Sequence, residues 1–155
     1  PFIFRHTAHI DAGQINDHLV SNYDFLPSLL GYLGLQHQLP AEPRLPGRDF
    51  SAQLIGQEST WDDTVFYEME SCRAIRSDRW KLVVRHPEGP HELYDMQADP
   101  QERINLYGQP NLDAIRGELR ERLNSFFAEY ADPKYDLWNG GVSKAKRLTP
   151  ASQQR

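Results

Sequence analysis

Arginines and carboxylates set close together can either clamp an anion or neutralise one another, and Glu68, Glu70, Arg73 and Arg76 form such a set. A guanidinium grips an oxyanion through two parallel hydrogen bonds, and a hairpin tip held by a sheet presents that fork rigidly. Glu68, Glu70 and Arg73 are therefore the candidate substrate-binding residues. The competing reading is a cross-strand ion-pair ladder, because Glu68 and Arg73 flank a turn centred on residues 70 and 71 and can pair across it. The ladder is the favoured reading of the two, and Arg76 with Lys81 reads as structural.

Histidine gives less. His6 and His9, or His86 and His91, could suggest metal ligands, but neither pair has a Cys or carboxylate set at ligand spacing, and His86 to His91 spans a Pro-Gly turn. No metal site is expected in this chain. The stretch from Glu92 to Leu106, ELYDMQADPQERINL, reads as a structural corner. Asp95 is placed to accept from backbone amides of the turn behind it, Asp99-Pro100 fixes a second bend, and Ile104 and Leu106 are expected to tie that bend to a core.

The elements that would position these residues are legible as periodicities. Val65 to Met69, Cys72 to Arg76, Trp80 to Arg85 and His91 to Tyr94 read as four strands joined by turns, the last after Pro87-Glu88-Gly89-Pro90. Pro110 opens a helix carrying Leu112, Ile115, Leu119, Leu123, Phe126, Phe127 and Tyr130 at helical spacing. The fold class expected is α+β, a four-stranded antiparallel sheet packed against one long C-terminal helix, over residues 63–131. Before it, Phe2-Ile3-Phe4 reads as a short strand buried on both faces. Asp24, Pro27 and the stripe Leu26, Leu29, Leu30 and Leu33 read as a helix ended by Gly34. This strand and helix occupy residues 1–38 and need a larger sheet to pack on. Residues 39–62, with Pro40, Pro43, Pro46, Gly47 and Gly56, read as a linker. Residues 132–155 read as a polar, partly disordered tail that Trp138 could pin, with a basic run Lys144-Ala145-Lys146-Arg147.

Five segments in order resemble sulfatases. The Glu92–Leu106 stretch is similar to their ELYDLxxDPxExxNL signature. Pro1-Phe2-Ile3-Phe4-Arg5 resembles the strand after the active-site lysine, although His6-Thr7-Ala8-His9 departs from the usual Trp-Pro-Gly-His. Ala12-Gly13 with Leu19 to Leu30 resembles the AGxxxxxxVSxxDxxPTLL segment, with Ser28 in place of Thr. Leu45-Pro46-Gly47 and Arg73 to Leu82 resemble the LPG linker and the RxIRTxxWKL hairpin. The resemblance, from Pro1 to about Pro133, implies the C-terminal portion of an arylsulfatase-like enzyme of the alkaline phosphatase superfamily. Residues 1–38 would then be the end of its α/β catalytic domain. It implies a parent that hydrolyses sulfate esters, of sulfated sugars by this pattern, through a formylglycine and Ca²⁺, and a periplasmic or secreted location.

The same resemblance puts the chemistry upstream. Formylglycine forms in a C/S-x-P-x-R motif, and no proline here has Cys or Ser two residues before it; Cys72 is followed by Arg73-Ala74. The calcium ligands and the sulfate-binding Lys and His also lie upstream of Pro1 in the family pattern. The chain is thus expected to be a piece of an enzyme, with the N-terminal catalytic domain as its partner and no catalytic residue of its own. Alternatives are a phosphonate or phosphate monoester hydrolase of the same superfamily, or a noncatalytic carbohydrate-binding or interaction module. Composition narrows the rest: 155 residues suffice for one core and a satellite, and a net charge of −5 argues against nucleic acid. No apolar run reaches membrane-spanning length. One cysteine excludes an internal disulfide. The apolar residues of 1–38, left uncovered, would drive self-association.

Overall fold

The structure, a computed structural model, describes residues 2–143, and these fall into two compact units that meet between Val65 and Phe66. The basic run at 144–147 lies outside the described residues.

In the first unit a capping box starts the helix. Ser21 Oγ accepts from Tyr23 N at 3.2 Å while Asp24 Oδ2 accepts from Ser21 N at 2.8 Å, closing a 3-10 turn Asn22–Asp24 that runs into α1, Phe25–Tyr32. Pro27 sits in the first turn, where its missing N–H is not needed. At the other end Gly34, at φ +70°, lets Leu35 N bond Leu30 O at 2.7 Å and close the helix. The buried side of α1 is not the leucine stripe. Asp24, Pro27 and Ser28 face inward, whereas Phe25, Leu26 and Leu33 are 43%, 44% and 54% exposed.

Residues 39–62 pack back on that inward side, with α2 formed by Ser51–Leu54. Asp24 accepts from Arg48 N at 2.8 Å and pairs with Arg48 Nη2 at 3.2 Å; Ser28 Oγ donates to Asp24 O at 2.7 Å and accepts from Phe50 N at 2.9 Å. Phe2 and Phe4 stack around Phe25 and Phe50 at centroid distances of 5.8–6.3 Å. Ile3 between them is 90% exposed. Phe2-Ile3-Phe4 pairs with no strand among the described residues, and the larger sheet expected to bury it is not among them. The run keeps the in-out alternation of a strand, and an aromatic cluster takes its inward side chains.

The second unit is the expected meander. β1 (Thr64–Met69), β2 (Cys72–Ser77), β3 (Trp80–Arg85) and β4 (Glu92–Asp95) lie in the order 1-2-3-4. Between β1 and β2 the turn places Glu70 at φ +53°, and between β2 and β3 Ser77 Oγ accepts from Trp80 N at 3.0 Å. Register sets Ile75 opposite Leu82 and Leu82 opposite Leu93, so these three share one face, with Val84 beside them. A 3-10 turn Pro110–Leu112 leads into α3, Asp113–Tyr130. Leu119, Leu123 and Phe127 of α3 pack on Ile75, Leu82, Val84 and Leu93, and Phe66 stacks on Phe126 at 4.1 Å. This is the four-stranded antiparallel sheet with one long C-terminal helix that the periodicities indicate.

Candidate functional site

The corner after β4 uses nearly every polar residue of its sequence. Asp95 Oδ1 accepts from Gln97 N at 3.1 Å and Ala98 N at 3.2 Å, while Oδ2 takes Arg79 Nε at 3.1 Å and Nη2 at 2.8 Å. The Arg79 fork, aided by those amides, holds the Asp95 carboxyl below its ordinary pKa against the opposing effect of burial. Asp99 Oδ2 then accepts from Arg103 N at 2.7 Å and Ile104 N at 2.8 Å, building the second bend. Asn105 closes the corner onto the sheet. Its Oδ1 accepts from Leu93 N at 3.1 Å and Tyr107 N at 2.9 Å, and its Nδ2 donates to His91 O at 3.0 Å. Leu106 packs against the core as expected. Ile104 does not; it is 64% exposed, because the two amide bonds to Asp99 turn its side chain outward.

The hairpin residues divide. Arg73 Nε donates to Glu68 Oε1 at 2.7 Å, so these two pair across the turn. Glu70, at the turn itself, is apart from them and accepts from Ser143 Oγ at 2.8 Å. Arg73 points to the α3 side of the sheet, is 6% exposed, and lies 4.1 Å from the Phe127 ring centroid and 5.0 Å from that of Trp138. Its Nη2 donates to Asp136 Oδ1 at 2.8 Å. Asp136 also accepts from Trp138 N at 2.9 Å and Asn139 Nδ2 at 2.7 Å. Burial pushes the Asp136 carboxyl up, but Asn139, the Trp138 amide and Arg73 outweigh it and leave the pKa below the ordinary value. Gly141 fits this loop because a Cβ there would meet Asp136 N at 2.5 Å and Pro133 O at 2.8 Å.

Nothing in the spacing of the sequence marks Asp136. The only local signal is an aspartate two residues before Trp138, a pattern in which a carboxylate caps a short turn, set in an otherwise polar stretch.

On the face away from α3, Arg76, Lys81 and Tyr94 form one rung across β2, β3 and β4. Lys81 Nζ donates to Glu102 Oε2 at 2.5 Å, Arg85 pairs with Glu92 at 2.7 Å, and Tyr94 OH donates to Glu92 Oε2 at 3.1 Å. Arg76 Nε is buried and has no hydrogen-bond partner among the described residues. Among those residues no three His, Cys, Asp or Glu side chains converge as a metal would require, and no helix is long and apolar enough to cross a membrane.

Residues 1–129 match the family model described as N-sulphoglucosamine sulphohydrolase, C-terminal, and the chain belongs to that family, within the alkaline phosphatase superfamily. The chain is 28% identical over 159 residues to a Delta 4,5-hexuronate-2-O-sulfatase of Bacteroides thetaiotaomicron, covering 97% of this chain and 33% of the relative. It is 26% identical over 145 residues to an N-acetylglucosamine-6-O-sulfatase of the same organism, covering 85% and 25%. The solved phosphonate monoester hydrolase of Agrobacterium radiobacter superposes with a TM-score of 0.63 at 26% identity, over 76% of this chain and 27% of that one. The chain spans a quarter to a third of the length of these relatives.

Proposed function

We propose that this chain is the C-terminal part of a sulfatase that hydrolyses sulfate esters of sulfated sugars. The observation that carries the reading is the Glu92–Leu106 corner, whose Asp95, Asp99 and Asn105 each hold two or more backbone amides or carbonyls, within a chain whose first 129 residues match a sulfatase C-terminal family. The named sugar sulfatases among its relatives support a sulfated carbohydrate as substrate.

Formylglycine and Ca²⁺ enter through the family resemblance alone. The residues of this chain do not fit either group: Cys72 lies inside β2 with Ala74 where the modification motif has proline, and no carboxylate cluster of ligand geometry stands among the described residues. Both belong, on this reading, to an N-terminal catalytic domain. What this chain contributes is a rigid sheet and its corner. Within it Arg73, Glu68 and Glu70 are committed to Asp136, to each other and to Ser143, which supports a bracing role over a direct clamp on substrate.

The phosphonate or phosphate monoester hydrolase remains the second reading, favoured by the likeness to the Agrobacterium enzyme. Turnover decides between them. The 155-residue chain assayed with an aryl sulfate should give no turnover above a heat-killed control. The product of the complete reading frame should hydrolyse the sulfate ester faster than a phenylphosphonate ester; the reverse preference would overturn the sulfatase reading.

A further inference from the structure

Three arginines gather about the His91–Tyr107 pair in a chain whose net charge is −5. The two rings meet at a centroid distance of 5.1 Å, and Arg116 lies over the Tyr107 ring, also at 5.1 Å. One helical turn on, Arg120 shares that side of α3 with Arg116, and it stands close enough to His91, as Arg85 does, to act on its charge. Like charges brought together in this way are destabilising. Two of the three arginines are answered by carboxylates, Arg116 by Asp113 and Arg85 by Glu92 at 2.7 Å. Arg120 has no ion pair or side-chain hydrogen bond among the described residues, and its α3 neighbours three and four positions away, Arg116, Gly117, Leu123 and Asn124, carry no carboxylate.

His91 leaves a second donor free. Because its Nδ1 accepts from Arg85 N at 3.2 Å, the neutral ring carries its hydrogen on Nε2, and no acceptor among the described residues takes it. Both residues are half-buried, and both groups reach solvent: the unpartnered donors sealed from it are Arg76 Nε and Trp138 Nε1. The chemistry that suits them is an oxyanion. A guanidinium offers paired N–H groups at the spacing of two oxygens of one sulfate, and the His91 Nε2–H suits a third acceptor. A cation would be repelled by Arg120 and Arg85. We propose that Arg120 and His91 form an oxyanion subsite that takes a sulfate group carried by a sugar. The choice of a sulfated sugar rests on the sulfatase reading, and the anion rests on Arg120 and His91.

The test is a titration of the 155-residue chain followed through the ring ¹⁵N resonances of His91, identified by their loss in His91→Asn. Sodium sulfate and glucosamine 6-sulfate should both move them saturably, the sulfated sugar more tightly. Sodium chloride at the same ionic strength and unsulfated glucosamine should leave them in place. Arg120→Gln should weaken binding about tenfold or more, whereas Lys134→Gln, which removes the same charge beyond the far end of α3, should not change it. Bound sulfate should also raise the pH at which His91 takes a proton, because an anion beside the ring favours its charged form. Resonances that do not move in the folded chain, an equal response to chloride, equal binding by Arg120→Gln, or binding of inorganic sulfate without the sulfated sugar would each overturn the subsite. Any of these would leave the sulfatase reading standing, because turnover tests it. Conversely, sulfated sugar bound at Arg120 in an enzyme that hydrolyses only phosphonates would keep the subsite and remove the reading.

Discussion

Arg73 and Asp136 are 63 residues apart in sequence and meet at 2.8 Å, with side chains 7% and 5% exposed. That pair ties residues 132–143, beyond the family-matched region, to the β1–β2 hairpin. A buried ion pair contributes little over an apolar substitute, but breaking one by removing a single partner strands a charge. Asp136→Ala should therefore cost about 3–5 kcal/mol, read as a fall in the urea midpoint. Arg116→Ala, which removes a surface pair with Asp113 at the start of α3, should cost less than about 1 kcal/mol. Equal midpoints for the two variants would mean that the 132–143 segment is not part of the folded unit.

The face of α3 is tested in the same way. Leu119 is 3% exposed against the sheet, so Leu119→Ala should cost about 2–5 kcal/mol through lost burial and the cavity left behind. Glu118→Ala, on the exposed side one residue earlier, should shift the midpoint little.

His91 gives a pH dependence with a definite sign. Its Nδ1 accepts from Arg85 N at 3.2 Å and so must be unprotonated, and burial, with Arg120 and Arg85 nearby, depresses its pKa below 6.5. The neutral form is favoured in the folded state. Its contribution is therefore present above pH 6.5 and is lost as pH falls below that value toward the folded-state pKa. Urea midpoints of the wild type should drop between pH 7.5 and 5.5 more steeply than those of His91→Asn. Parallel slopes would remove His91 from the pH dependence.

Phe25, Leu26 and Leu33 leave an apolar stripe on the outer side of α1. Patches of that kind drive association, and the isolated chain is expected to form dimers or larger species through it. Light scattering should show their loss in Leu26→Lys/Leu33→Lys. A monodisperse monomer for the unchanged chain would contradict this.

How far the sequence could be read follows from the range of the forces involved. The meander, α3 and the corner rest on local periodicity and on Asp, Asn and Pro acting within a few residues, and these were legible. So was the Glu68–Arg73 pair, separated by one tight turn. Asp136 was not, because its partner lies across the fold. Asp24 illustrates the same limit: it stands at the α1 N-terminus as its type suggests, but its carboxylate serves Ser21 N and Arg48 rather than the α1 amides. A uniformly apolar Phe2-Ile3-Phe4 could not reveal that the rings of Phe2 and Phe4 cluster with Phe25 and Phe50. The orphaned Arg76 donor is visible only once every neighbour has a position.

The central claim, that this chain completes a sugar sulfatase, is tested most directly by sulfate release. The product of the complete reading frame, incubated with a sulfated glucosamine or hexuronate disaccharide, should liberate inorganic sulfate and leave the sugar backbone intact, while the 155-residue chain alone releases none. No sulfate from any sulfated sugar, with hydrolysis of a phosphonate or phosphate monoester by the same preparation, would contradict it.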